Sequence, residues 1–226
     1  MKKVLNIAHR GFTRDFPDNT LESFQAALDL GVDGIELDVQ ETADGEFIVY
    51  HDDAIKGRPI SELKYENLLG VLVQGKYRLP TLLETLKLLD GRTGLLIELK
   101  QVRSLEKFLT LLRAHTATDG VAVISFHHAL IAELARLAPD IIRAVITGEA
   151  VTGLTQITQA THSSAIGVNC SHLTADLVAQ AQAEDTKIFV WGCAGEEDVR
   201  RALQYDIDGI ISDFPDVVKS IPMQGS

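Results

Sequence analysis

The sequence predicts an α/β fold, a single-domain (β/α)8 barrel over residues 1–226. Short segments rich in valine and isoleucine alternate with longer segments of helical period, which is the pattern of parallel strands joined by helices. A length of 226 residues with 46% hydrophobic residues is enough for one large core, and no linker interrupts the alternation. Together these observations favour a closed barrel over a doubly wound open sheet.

Nine segments are predicted strands, one more than the barrel needs, so one of them must be short or lie outside it. In chain order they are VLNIAH, GIELDV, EFIVYH, GLLIELK, VAVISF, IRAVIT, AIGVN, KIFVWG and GIIS. The connection QETADG, between the second and third, is too short for a helix. Its Asp44-Gly45 pair is typical of a hairpin, which conflicts with a purely parallel order.

Helices are predicted between most of the strands. Asn19 and Glu22 match a capping box at the start of the first helix, and Gly31 is expected to end it. Thr81 and Glu84 repeat the capping signature. Further helices are predicted for SLEKFLTLLRAH, HALIAELARLA, TADLVAQAQAE and EEDVRRALQY.

Composition limits the partners. A net charge of -11 without a cluster of basic residues disfavours a nucleic acid. No apolar segment is long enough to span a bilayer and the N-terminus lacks a signal-peptide core, so we expect no stable membrane insertion and a cytoplasmic location. Cys170 and Cys193 are expected to be reduced. A small anionic substrate is compatible with the negative net charge, because a metal ion and a few cationic side chains can make the electrostatic potential inside a pocket positive.

Acidic residues end two predicted strands. Glu36 and Asp38 of GIELDV share one strand face, which by itself fits a half-exposed strand. Glu98 and Lys100 end GLLIELK, a segment so apolar that both of its faces must be buried. Three acids converging at the carboxyl ends of parallel strands would repel one another unless a hard divalent cation bound to them.

Two histidines also end predicted strands. His9 follows LNIA and His51 follows FIVY, which would place both rings at one rim if the two strands run parallel. An imidazole exchanges protons near neutral pH, so such a pair suits a general acid and a general base. The other histidines are interpreted as structural or surface residues: His115, His127, His128, His162 and His172.

The segments AHRG, NTLESFQAAL, LGVDGIELDVQ, VYHD, LPTLLETL, IELK, ISF, VWG and DGIISDFP follow one another as in the glycerophosphodiester phosphodiesterases. The chain resembles this family over nearly its whole length. The resemblance implies a TIM-like barrel, one divalent metal ion, Mg²⁺ or Ca²⁺, and a small-molecule substrate. The implied reaction is hydrolysis of a glycerophosphodiester to sn-glycerol 3-phosphate and an alcohol.

The resemblance also implies roles for individual residues. The implied metal ligands are Glu36, Asp38 and Glu98, and the implied general acid and base are His9 and His51. The implied substrate-binding residues are the cations Arg10 and Lys100 and the cleft aromatic Trp191.

Three positions depart from the family pattern. Asp18 stands in PDN where the family has a glutamate. After Trp191 the chain continues with Gly192 and Cys193 in GCAG, where the family has a threonine and, two residues further on, an asparagine, and we expect their loss to alter how the alcohol group is held. The segment after HDD is short, so the cover over the cleft is expected to be reduced.

Two other functions compete with this interpretation. A related enzyme of the same superfamily would cleave a lysophospholipid or a sugar phosphodiester. A non-catalytic barrel would only bind a phosphate metabolite or a protein, but it would not need two proton carriers. No serine or cysteine lies in a nucleophile motif, so the attacking group is water or the substrate's own hydroxyl. We expect attack by the substrate's own hydroxyl, which gives a cyclic phosphate intermediate.

Overall fold

A closed barrel of eight parallel strands forms the centre of the computed structural model, which describes residues 3–221. The ends of the predicted 1–226 domain lie outside these residues. The described strands are β1 Leu5–His9, β2 Gly34–Glu41, β3 Phe47–Val49, β4 Ala54–Ile55, β5 Arg58–Pro59, β6 Leu72–Val73, β7 Tyr77–Arg78, β8 Gly94–Leu99, β9 Val121–Ser125, β10 Ile142–Thr147, β11 Ala165–Asn169, β12 Lys187–Trp191 and β13 Gly209–Ser212.

The barrel order is β1, β2, β8, β9, β10, β11, β12 and β13, and pairing of β13 with β1 closes it. The described helices are α1 Leu21–Leu30, α2 Leu82–Leu89, α3 Leu105–His115, α4 His128–Leu137, α5 Leu154–Thr161, α6 Ala175–Ala183, α7 Glu196–Ala202 and α8 Pro215–Ser220. The predicted barrel is therefore confirmed. Helices α5 and α8 were not predicted, because each is short and carries few apolar residues in helical period.

The surplus predicted strand is β3, which lies outside the closed barrel. It pairs antiparallel with β2, with Val39 opposite Val49, because the connection between the two strands is a hairpin. Gly45 adopts a φ of 79° in this turn, a left-handed conformation that glycine tolerates. The hairpin at Asp44-Gly45 is confirmed, and the conflict with parallel order is resolved.

Residues 50–80 form an excursion between β3 and α2. It contains two small hairpins, β4 with β5 and β6 with β7. The excursion packs around its own apolar cluster of Ile48, Ile55, Ile60, Leu63, Leu68 and Leu79. This cluster is separate from the main core, in which the outward faces of the barrel strands pack against the helices.

The cap of α1 differs from the sequence-based expectation. The N-cap residue is Thr20, whose hydroxyl accepts a hydrogen bond from the Ser23 amide, so the predicted pair of Asn19 and Glu22 was wrong by one position. Asn19 instead adopts a φ of 55°, which turns its side chain toward the barrel. The Thr81–Glu84 box at α2 and the left-handed Gly31 after α1 are confirmed.

Among the described residues, no helix combines the length and apolar character needed to cross a membrane.

The loop after β1 packs closely on α1 at Gly11, and a substitution there tests this packing. We expect Gly11→Ala to lower the free energy of unfolding by roughly 1 kcal/mol or more, because alanine is strained at positive φ. The φ of Gly11 is 92°, and a Cβ there would lie 2.4 Å from Ser23 Oγ. Gly57→Ala is the matched control, since Gly57 has a φ of 76° with nothing within 4 Å of a Cβ. Thermal unfolding should show the larger loss for Gly11, and equal losses would contradict this packing.

Candidate active site

Three carboxylates meet at the carboxyl ends of two neighbouring strands. Glu36 and Asp38 lie on β2, and Glu98 lies on β8 directly opposite Asp38 in the parallel register. One oxygen of each lies within 4.8 Å of the others. The alternation of side chains along β2 points both of its acids into the barrel, as the sequence predicts. All three residues are buried, and Asp38 is 0% exposed.

Burial and mutual repulsion disfavour the charged forms of these acids. Burial raises the pKa of Glu36 well above its ordinary value, and the charges of Asp38 and Glu98 raise it further. Burial also raises the pKa of Glu98, with a further contribution from Asp38. Glu36 Oε1 is buried without a hydrogen-bond partner among residues 3–221. A cation bound here would stabilise the ionised acids and satisfy this oxygen.

The donor set fits a hard divalent ion. Carboxylate oxygens are the ligands that Mg²⁺ and Ca²⁺ accept, and the cluster offers them without a soft thiolate or an imidazole. The remaining positions of such an ion would be available to water or to substrate oxygens.

Arg10 lies beside the cluster because the backbone leaves the strand conformation after His9. Its φ is 55°, and its amide donates to Glu36 Oε2 at 3.1 Å. Its guanidinium Nε lies 3.0 Å from Asp38 Oδ2. Two hydrogen bonds to the Arg10 carbonyl, each 3.0 Å long, stabilise this left-handed conformation. One comes from the backbone N–H of Asn19 and the other from the Ser23 hydroxyl.

Asn19 holds Asp38 in place through two hydrogen bonds. Its Nδ2 donates to Asp38 Oδ2 at 2.7 Å, and its Oδ1 accepts from the Asp38 amide at 3.2 Å. This contact was not predicted from the sequence, in which Asn19 fits a helix cap. Asn19 and Thr20 precede α1, and an asparagine in this place fits either a helix cap or a contact with the site. The sequence alone offers no signal that separates these two roles.

Lys100 follows β8 and supplies the second cation. Its Nζ lies 2.7 Å from Glu98 Oε1 and 3.4 Å from Asp38 Oδ1. Burial lowers the pKa of Lys100, but the attraction of Glu98 and Asp38 outweighs it, so the net pKa is raised and the ammonium stays charged. Arg10 and Lys100 thus lie on either side of Asp38.

His9 stands opposite Glu36 in the register of β1 and β2 and is held by a carboxylate from the far end of the chain. Its Nδ1 lies 2.6 Å from Asp213 Oδ1, and its Nε2 lies 3.9 Å from Glu36 Oε2. The hydrogen bond with His9 lowers the pKa of Asp213, with burial opposing it. Asp213 was not assigned a role from the sequence, although its motif SDFP marks the end of a predicted strand.

His51 reaches the same cavity as His9, but not for the reason expected from the sequence. The condition of two parallel strands is not met, since β3 runs antiparallel to β2 as the Asp44-Gly45 hairpin requires. The Tyr50 amide donates to the Asp38 carbonyl at 3.1 Å, so the chain leaving β3 runs beside the metal-ligand candidates. His51 Nδ1 lies 2.8 Å from Asp52 Oδ1.

Aromatic side chains form one wall of the site. The Trp191 ring meets the Phe126 ring edge to face, with centroids 5.7 Å apart, and Lys100 Nζ lies 5.8 Å from the Phe126 centroid. Trp191 Nε1 is buried without a hydrogen-bond partner among the described residues. Phe126, missed from the sequence, ends the ISF motif.

Two of the departures from the family pattern have a structural consequence. Asp18, although one methylene shorter than glutamate, accepts from Arg10 Nη1 at 3.3 Å. Gly192 adopts a φ of 73°, and a Cβ there would lie 2.7 Å from Asn169 Nδ2. The Asn169 side chain therefore takes the space that a larger residue after Trp191 would need.

The eight predicted site residues lie close together in the structure. A cavity of about 470 Å³ is lined by seven of them, His9, Arg10, Glu36, His51, Glu98, Lys100 and Trp191. The eighth, Asp38, contacts Arg10 and Lys100 beneath the surface. Parallel β/α barrels carry their active sites at this carboxyl end, so fold and site together define the class of β/α-barrel enzymes.

Comparison with known proteins identifies the family within this class. The model of the glycerophosphoryl diester phosphodiesterase family matches residues 9–217, and the chain belongs to this family. A glycerophosphodiester phosphodiesterase of Bacillus altitudinis is 30% identical over 92% of this chain and 94% of its own. One from Caldanaerobacter subterraneus subsp. tengcongensis is 28% identical over 99% of both chains.

Solved structures show the same fold. A glycerophosphodiester phosphodiesterase from Agrobacterium tumefaciens is 26% identical, with a TM-score of 0.84 over 98% of this chain and 100% of its own. A phosphodiesterase from Oleispira antarctica, solved with the product sn-glycerol-3-phosphate, is 23% identical, with a TM-score of 0.88 over 95% of this chain and 94% of its own.

Proposed function

We propose that this chain hydrolyses glycerophosphodiesters to sn-glycerol 3-phosphate and an alcohol with the help of one divalent metal ion, Mg²⁺ or Ca²⁺. The observation that carries the proposal is a cluster of three buried acids beside two cations and two histidines that line one cavity, in a chain of this family. The Oleispira antarctica structure, which holds sn-glycerol-3-phosphate, supports the product assignment.

Glu36, Asp38 and Glu98 would hold the metal ion, which when bound supplies positive charge to the phosphate oxygens. Arg10 and Lys100 bind the phosphodiester from either side of Asp38. The planar guanidinium of Arg10 suits two phosphate oxygens at once, and the ammonium of Lys100 adds a point charge. Their charges offset the acidic cluster, which allows an anion to approach it.

His9 and His51 move the protons. Each ring engages an aspartate through Nδ1, His9 with Asp213 and His51 with Asp52, so Nε2 is the atom that exchanges a proton with the substrate. The low pKa of Asp213 keeps that carboxylate ionised, and an ionised partner stabilises the imidazolium when His9 takes up a proton. In this proposal one histidine acts as base while the other protonates the departing alcohol.

The hydroxyl next to the phosphate ester is the proposed nucleophile. Its oxygen attacks phosphorus as one histidine removes its proton, the bond from phosphorus to the alcohol oxygen breaks, and a cyclic glycerol phosphate forms. Water then opens the ring with the two histidines in reversed roles. Intramolecular attack has a large effective molarity, and the chain offers no side chain that we assign as a nucleophile.

Activity and metal binding are tested together. We expect purified protein to release glycerol 3-phosphate from a panel of glycerophosphodiesters, to lose this activity on chelation and to regain it with Mg²⁺ or Ca²⁺. The metal should also raise the melting temperature, because it relieves repulsion among buried carboxylates. Glu98→Gln should reduce that rise, and Glu66→Gln, a change at an exposed glutamate, should not. Full activity in chelator would remove the metal from the proposal.

The histidines are tested by truncation. We expect His9→Ala and His51→Ala each to lower turnover about a hundredfold or more, the range for a lost general acid or base. His115→Ala, at the exposed end of α3, is the matched control and should keep the wild-type rate. Unchanged melting temperatures would show that the fold is intact. A wild-type rate in either site variant would overturn that residue's role.

The cyclic route is tested by removing the attacking group. A substrate whose neighbouring hydroxyl is replaced by hydrogen should be cleaved far more slowly than its parent, because intramolecular attack is lost. Steady-state rates of the two compounds at saturating metal provide the comparison. Equal rates would favour direct attack by water.

A further inference from the structure

His51 is tied to the barrel through its backbone. Its side chain is 38% exposed, and the one hydrogen-bond partner that the described residues give its ring is Asp52, the next residue in the chain. That contact stays within one short segment, so it does not fix the ring relative to the metal-ligand candidates. The place of the ring at the cavity therefore depends on what holds the backbone of residues 50–52.

One side chain of β2, that of Gln40, holds all three of these residues. Its Nε2 lies 3.3 Å from the carbonyl oxygen of Tyr50 and 3.2 Å from that of His51. It lies 2.5 Å from the carbonyl oxygen of Asp52. Carbonyl oxygens only accept, so the NH₂ group of Gln40 must face them and shares its two hydrogens among the three. Three consecutive carbonyls of the chain are thus gathered on one donor group.

Gln40 lies on the same face of β2 as two of the acids. Side chains alternate along a strand, so Glu36, Asp38 and Gln40 point to one side, and Gln40 is the last of the three toward the carboxyl end. Gln40 is 1% exposed. A buried amide keeps its hydrogen bonds because losing them would leave polar groups unpaired. The strand that presents two candidate metal ligands therefore also holds His51.

Strand pairing alone stops short of His51. The pairing of β2 with β3 ends at Val49, and the Tyr50 amide adds one hydrogen bond to the Asp38 carbonyl at 3.1 Å. From His51 onward the chain has left the hairpin. The hydrogen bonds of Gln40 extend the support to His51 and to the residue after it, which strand pairing does not reach.

We propose that Gln40 is a positioning residue for His51. This role rests on the proposed function, in which His51 exchanges a proton with the substrate. Gln40 is not among the described residues that line the cavity, so it acts through the backbone of residues 50–52 and not on the substrate. A misplacement of about 1 Å at a reacting group can lower turnover roughly a hundredfold. Loss of the Gln40 amide should therefore reduce kcat and leave KM nearly unchanged.

The test is a double-mutant cycle between Gln40 and His51, measured as glycerol 3-phosphate release from glycerophosphocholine with Mg²⁺ present. Gln40→Met keeps the length of the side chain and removes the donor, and it should lower kcat at least about tenfold with little change in KM. In a His51→Ala background the same change should lower kcat less than about twofold, because the group that Gln40 positions is already absent. A residue that only stabilised the fold would lower both rates by the same factor.

A matched control comes from the same hairpin. Thr42 is 0% exposed, and its hydroxyl accepts from the Glu46 amide at 2.9 Å, within the turn between β2 and β3. Thr42→Val removes this bond without changing a contact to residues 50–52, so it should keep the wild-type kcat. Gln40→Asn keeps the amide on a side chain one methylene shorter, which cannot reach all three carbonyls, and it takes the place of Gln40→Met in the cycle if that variant does not fold.

The possible results are distinct. The positioning role is overturned if the folded Gln40 variant keeps the wild-type kcat, if it loses the same factor in both backgrounds, or if Thr42→Val lowers kcat as much. In each of these cases the proposed function stands. Absence of glycerol 3-phosphate release by the wild type would overturn the proposed function. A wild-type rate in His51→Ala would overturn the role of that histidine and the positioning role with it.

Discussion

The mutual repulsion of three buried carboxylates is the constraint on which the site depends. Glu36, Asp38 and Glu98 present oxygens within 4.8 Å of one another in a place that water hardly reaches. Such a cluster is unfavourable unless positive charge surrounds it. Arg10 and Lys100 supply part of that charge, and the loop after β1 adopts its left-handed conformation so that Arg10 can do so. The left-handed backbone at Arg10 is unfavourable for a residue other than glycine, and it brings the guanidinium to Asp38.

Local sequence patterns were sufficient to predict the barrel and the acidic cluster. The alternation of apolar strands with helices sets the fold, and the period of two along GIELDV places Glu36 and Asp38 on one inward face. Glu98 follows from the same periodicity, because a strand buried on both faces can place an acid only where a partner exists. These inferences need only neighbouring residues, which is why they could be made without a structure.

Contacts between distant segments could not be predicted in the same way. Asp213 meets His9 across 204 residues of sequence, and no periodicity within either segment reports that contact. Asn19 was assigned to a helix cap because its immediate neighbours satisfy the capping pattern, whereas its side chain bonds to a strand that follows the helix. The direction of β3 was ambiguous because a short apolar segment looks alike in parallel and antiparallel pairing.

The position of His51 outside the closed barrel has an evolutionary consequence. His9, the metal-ligand candidates and Asp213 lie on or directly after strands of the closed barrel. His51 sits after a hairpin strand and opens an excursion with its own small apolar cluster. Residues 53–80 take no part in the pairing of the eight barrel strands, so their length and sequence can change while the barrel stays closed. One of the two candidate proton-transfer histidines thus belongs to a segment that can diversify between lineages independently of the barrel.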